Sequence, residues 1–193
     1  MDSEFQNVDM LAFSGHKFHA PKGIGALFLR QGVRCRTFLF GGHQEQGRRG
    51  GTENVAFIVG MSKAIELAAT THDDDMKRIA IFRDKLEEGL FDRIPNLEIN
   101  GLGAKRMPNT LNVAIHYAEG EGMIFQLSNK GICVSSGSAC SSGSLDTSHV
   151  LTAMGVPFTA RNGAIRFSLS RYTTEVEIDT VLDEFPKIVD RLR

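Results

Sequence analysis

The chain has 193 residues, 41% of them hydrophobic and 23% charged, with a formal net charge of -1. That is ordinary globular composition, with apolar content for one core or two small ones; the near-neutral charge offers no basic face to nucleic acid or to an acidic membrane, and helices and strands alternate along the chain in an α/β or α+β pattern. No apolar run approaches the ~20 residues of a membrane span, Met1–Phe5 lacks the apolar stretch of a signal peptide, and three cysteines without C-x-x-C spacing fit a reduced, cytoplasmic setting.

Taken in chain order, residues 7–13 and 24–30 read as buried strands. Between them stand Ser14-Gly15-His16-Lys17 and the glycine-spaced run Pro21-Lys22-Gly23-Ile24-Gly25. Residues 31–51 are irregular, glycine-rich and carry Arg34, Arg36, Arg48 and Arg49. A connection that long is either functional or disordered. A helix is expected from Gly51-Thr52, with Val55, Ile58, Val59, Ser62, Ile65 and Ala69 on one face. A domain boundary follows near 70–73. Asp73-Asp74-Asp75 then opens a second helix, where three carboxylates complement the helix dipole. Its apolar stripe is Ile79, Phe82, Leu86 and Leu90, and Ile94-Pro95 stops it.

Strands follow over 97–100 and 110–115. A helix over 119–130 is closed by Gly131, and 132–134 forms a short core strand containing Cys133. Asp146 or Thr147 caps a helix running to Met154. Residues 164–169 alternate as a strand. Thr174 and Glu177 have the spacing of a capping box. The last helix carries Ile178, Val181, Leu182, Phe185, Ile188, Val189 and Leu192 on one side, and Pro186 is expected to kink or split it.

Four features could carry chemistry, and each has two readings. Lys17 is a surface lysine on a tight hairpin, or an amine activated toward carbonyls beside an anion-binding turn. Cys140, within Ser135–Ser144, is incidental to a linker or an accessible thiol free to travel. Thr52 is an N-cap, a phosphate ligand at a helix N-terminus, or both. Arg166, at an inward-looking position of an apolar strand, lies on a strand edge or clamps a carboxylate. A Schiff-base lysine beside a phosphate cup is what pyridoxal phosphate requires. Cys35 and Cys133 are structural or neutral by default.

Taken together, Ser14-Gly15-His16-Lys17-Phe18-His19, the stretch from Gly41-Gly42-His43-Gln44 to Gly51-Thr52-Glu53-Asn54, the loop Ser135-Ser136-Gly137-Ser138-Ala139-Cys140, Ser148-His149-Val150-Leu151 and Ile165-Arg166-Phe167-Ser168 resemble the cysteine desulfurases of the NifS/IscS type, in their long-loop group. The resemblance implies the C-terminal part of a fold-type I pyridoxal-phosphate transferase. Residues 1–72 would be a remnant of the large cofactor domain, and 73–193 a small α+β domain carrying the cysteine loop. It implies removal of sulfur from L-cysteine to give L-alanine and a persulfide on Cys140, for iron–sulfur cluster assembly.

The same resemblance assigns roles. Lys17 would carry pyridoxal 5′-phosphate as a Schiff base and move protons. Ser14 and His16 would contact its phosphate, and Thr52 the phosphate of a partner subunit in a homodimer. Arg166 would bind the substrate carboxylate. Cys140 would deliver sulfur to an iron–sulfur scaffold or other acceptor, and in some relatives it shares a [2Fe–2S] cluster as a metal ligand. Family members are roughly twice this length, and the missing front should supply the aspartate and the aromatic or histidine that hold the pyridine ring. The isolated chain is therefore expected to turn over little. An inactive module binding a sulfur acceptor, or a selenocysteine lyase, are the competing readings.

Overall fold

The computed structural model describes residues 7–136 and 148–193. The chain divides into two compact units, residues 1–72 and 73–193.

In the first unit, β1 (Met10–Ser14) and β2 (Gly25–Leu29) form an antiparallel hairpin in which Met10 pairs with Leu29 and Ser14 with Gly25. The strands expected here exist, but β1 is not buried: all five of its residues are exposed. A two-stranded ribbon has two open edges and little to cover its faces, so alternation alone could not bury it. Residues 37–51 close on themselves. Thr37 Oγ1 donates to the Gly47 carbonyl at 2.8 Å, and the Gly50 N–H donates to Leu39 at 2.8 Å. A Cβ on Gly50 would stand 2.8 Å from the Gly41 backbone, so this crossing requires glycine.

Helix α1 runs without interruption from Val55 to Arg93. Two expectations fail here. Thr52 is not the N-cap; Asn54 is, its Oδ1 accepting from the Phe57 N–H at 3.3 Å and its carbonyl from Ile58 at 2.9 Å. Asp73–Asp75 do not open a second helix but lie within this one. Two of their carboxylates meet cations instead of a helix N-terminus: Asp74 faces Lys77 at 4.0 Å, and Asp75 reaches Arg171 at 3.1 Å. The apolar face of the first half is largely uncovered in its own unit, with Val55, Ile58, Val59 and Ile65 all exposed.

The second unit has a sheet ordered β3-β4-β5, all antiparallel. The strands are β3 (Leu97–Ile99), β4 (Thr110–Ile115) and β5 (Ala164–Ser168). Alternation sends Leu111, Val113, Ile115, Ile165 and Phe167 to one face. There they pack with Ile79, Leu86 and Leu90 of α1 and with α5 (Glu175–Leu192). Helix α2 (Gly120–Asn129) adds Met123 and Leu127, both fully buried. It ends as a Schellman turn: the Gly131 N–H donates to Ser128 and the Ile132 N–H to Leu127, with Gly131 at φ 76°.

The other sheet face is smaller. Ala114 and Ala164 pack there with Leu151 of α3 (His149–Ala153), Ala160 of α4 (Phe158–Arg161) and Val156. Ser148 caps α3, accepting from the Leu151 N–H; the expected caps Asp146 and Thr147 lie outside the described residues.

Two more expectations change. Residues 132–134 form no strand, the pairing next to them among the described residues being a bridge from Ser135 to Arg166, and Cys133 is exposed instead of core. The segment borders a pocket of about 440 Å³ lined by Cys133, Lys130, Ser168 and Glu177 among others. Helix α5 is not split at Pro186. Proline withholds the N–H that would bond the Leu182 carbonyl, and Arg93 supplies the substitute, its Nη1 donating to that carbonyl at 2.7 Å.

Candidate functional site

The turn between β1 and β2 is a single 3₁₀ turn, Gly15–Phe18, pinned at both ends. The Gly15 N–H donates to Ile24 at 2.8 Å and the Ala20 N–H to the Gly15 carbonyl at 3.1 Å. His19 closes it in the left-handed region at φ 70°. A Cβ on Gly15 would press on Ala20 and Ile24 at 3.0 Å, and one on Gly25 would reach the Phe13 carbonyl at 2.7 Å. Glycine spacing therefore lets the strand ends approach closely, which fixes the backbone beneath Lys17. Ser14, His16 and Lys17 present their side chains to solvent from this rigid base. Phe13 and Phe18 pack at 6.0 Å between ring centroids and, with Ile65, Ala68, Ala69 and His72 of α1, line a cleft of about 340 Å³.

Thr52 follows Gly51, at φ 109°, at the exit of the closed 37–51 loop and is exposed in the same unit. Asn54, not Thr52, caps α1, and the Thr52 hydroxyl makes no hydrogen bond among the described residues.

Arg166 belongs to the second unit. Its neighbours Ile165 and Phe167 occupy the main core, so the guanidinium projects from the opposite sheet face, half-buried. Its backbone is held on the outer edge by Ser135, with N–H to O distances of 2.7 and 3.2 Å. Its Nε is buried and has no hydrogen-bond partner among the described residues. A buried cationic N–H without an acceptor is costly unless a ligand supplies one.

Cys140 lies outside the described residues. Among the described residues no group of three or more His, Cys, Asp or Glu could hold a metal ion, and no helix is long and apolar enough to cross a membrane.

Sequence reading missed contacts that depend on strand register. Asn100 Nδ2 donates to Asn112 Oδ1 at 2.6 Å on the Arg166 face. His116 links Glu98 at 2.6 Å to Thr159 at 3.2 Å, tying α4 to the sheet. The only sequence signal for either was the alternation of 110–115, which tells which residues share a face but not what stands opposite.

This architecture, an α/β chain with a lysine turn in one unit and an arginine-bearing strand in the other, matches proteins already characterised. The family model for class-V aminotransferases matches residues 1–181, and the chain belongs to that family. It is 59% identical over 97% of its length to "Cysteine desulfurase 2" of Trichormus variabilis, covering 47% of that protein. It is 50% identical over its whole length to "Cysteine desulfurase NifS" of Azotobacter vinelandii, covering 48%. Among solved structures, a "NIFS-LIKE PROTEIN" superposes with a TM-score of 0.85 at 40% identity, over 96% of this chain and 47% of that one. A NifS-like protein from Rickettsia africae does so at 0.84 and 30% identity, over 94% of this chain and 48% of that one. The chain thus spans about half the length of the relatives it matches.

Proposed function

We propose that this chain is part of a pyridoxal-phosphate-dependent cysteine desulfurase. The observation that carries the reading is the buried Arg166 Nε, an unmatched cationic donor suited to a carboxylate. The support around it is identity of half or more with named desulfurases along essentially the whole chain.

The residues present fit the aldehyde and phosphate ends of the cofactor: an amine at Lys17, a hydroxyl at Ser14 and an imidazole at His16 on one pinned turn. Bound there, the cofactor supplies an electron sink that weakens bonds to the substrate's Cα. Lys17 anchors it and moves a proton at that carbon through Nζ. Ser14 and His16 hold the phosphate, and Thr52 reaches the phosphate in a partner subunit of a homodimer. Arg166 grips the carboxylate of L-cysteine. The Cys140 thiolate attacks the substrate sulfur, the C–S bond breaks with its electron pair left on Cβ, a proton takes the place of sulfur on that carbon, and L-alanine departs. The resulting persulfide is passed to an iron–sulfur scaffold or another acceptor.

The test begins with pyridoxal phosphate and borohydride reduction of the full-length parent protein, followed by peptide mapping. Lys17 is expected to be modified ahead of every other lysine; even labelling refutes the anchor. With L-cysteine added, alkylation and mass spectrometry should find a persulfide on Cys140 that is absent from Cys140→Ala. Sulfur carried on Cys35 or Cys133 instead refutes the assignment.

A further inference from the structure

The sheet face that carries Arg166 also carries Asn112, its direct cross-strand partner. The Arg166 backbone exchanges its hydrogen bonds with Ser135, and the Asn112 carbonyl accepts from Asn100, so neither points at the other. Asn112 and Arg166 therefore form the non-hydrogen-bonded type of antiparallel pair, in which Cα atoms come within about 4.5 Å and side chains are closest. Asn112 is not free to turn. Its Oδ1 accepts from Asn100 at 2.6 Å, and its Nδ2 amide has no partner among the described residues. Two donors thus stand side by side: a buried cationic Nε and an oriented neutral amide. An amide cannot donate to a guanidinium, so the pair satisfies nothing in itself. An acceptor with two oxygens satisfies both.

We infer that Asn112 is the second donor of the carboxylate site: its Nδ2, oriented by Asn100, binds one oxygen of an amino-acid carboxylate while Arg166 binds through Nε. This rests on the assignment of Arg166 proposed above and extends it to a neutral residue. Asn112 confers selectivity for a planar carboxylate over a monatomic anion, because only two spaced oxygens engage both donors. Asn100 is a positioning residue, acting through the amide of Asn112.

The experiment is titration of the isotopically labelled chain with L-alanine, followed by NMR of the Arg Nε–H and Asn Nδ2–H₂ groups. The Arg166 and Asn112 signals are expected to move together along one binding curve, while Arg161, whose Nε is also buried and without a partner among the described residues but has no Asn112 beside it, stays in place. Asn112→Leu should weaken binding about tenfold, the worth of one hydrogen bond to a charged group. Asn112→Asp, which places a competing carboxylate beside the guanidinium, should abolish it. Asn100→Ala, releasing the amide, should weaken it less than Asn112→Leu. Movement of Arg166 with Asn112 still, or an unchanged affinity in a folded Asn112→Leu chain, overturns the role of Asn112 and leaves that of Arg166 standing. If neither signal moves, both assignments fall.

Discussion

Replacing Arg93 with alanine tests how a proline is carried inside α5. Pro186 has no N–H for the Leu182 carbonyl, and Leu182 is 5% exposed. Arg93 Nη1 meets that carbonyl at 2.7 Å and the Asp183 carboxylate at 3.4 Å. Orphaning a buried carbonyl costs about 1–3 kcal/mol. The Arg93 side chain is 48% exposed, so water can partly replace it, and a loss near the lower limit, about 1 kcal/mol, is expected. The Asp183 pair is mostly exposed and adds little. Pro186→Ala restores a backbone donor to Leu182. In that background Arg93→Ala should cost less, with a coupling of about 0.5–1 kcal/mol. Urea unfolding of the four chains, followed by circular dichroism, measures the cycle. An Arg93→Ala penalty equal in both backgrounds to within about 0.3 kcal/mol would show that the guanidinium does not substitute for the missing N–H.

Gly131→Ala places a side chain at φ 76°, in the C′ position of α2, and should lower stability by about 1 kcal/mol in the same urea assay; no change would refute the left-handed requirement. Glu184 is held below the ordinary glutamate range, chiefly by its bond to Lys130 and then by Lys187. A lowered folded pKa means that this stabilisation is present above the unfolded value of about 4.3 and is lost as pH falls through the folded one. Glu184→Gln should therefore flatten the acid limb of a stability–pH curve while leaving the slope near neutrality unchanged. Lys17→Ala should abolish borohydride-trapped cofactor without altering the thermal unfolding of the chain, since the Lys17 side chain is exposed and its turn is held by backbone bonds. A shifted melting temperature would show that the lysine is structural.

Much of the local structure was legible because it rests on local chemistry. The capping box of Thr174 and Glu177 forms as its spacing implies, Gly131 ends α2 because a left-handed residue is needed there, and the strands expected over 110–115 and 164–169 form close to those limits. The lysine turn was also readable, since glycine spacing permits the close strand crossings found at Gly15 and Gly25. Exposure was not. The apolar runs in β1 and the first half of α1 have the composition of a core, yet remain uncovered in their own unit, because burial depends on what packs against a face and not on the face itself.

The chain's sequence by itself determined most of the helices and strands, which residues share a face, and the lysine, threonine, cysteine and arginine that could do chemistry. Tertiary structure decided what those faces meet. Asp75 lies inside a helix and not at its start, and its carboxylate meets Arg171, 96 residues later. Pro186 is carried within α5 because Arg93, 93 residues earlier, supplies the missing donor. Asn112 stands beside Arg166 because strand register pairs them across 54 residues. Each of these contacts joins segments far apart in the chain, where the free energy of pairing depends on register and packing that no local pattern encodes.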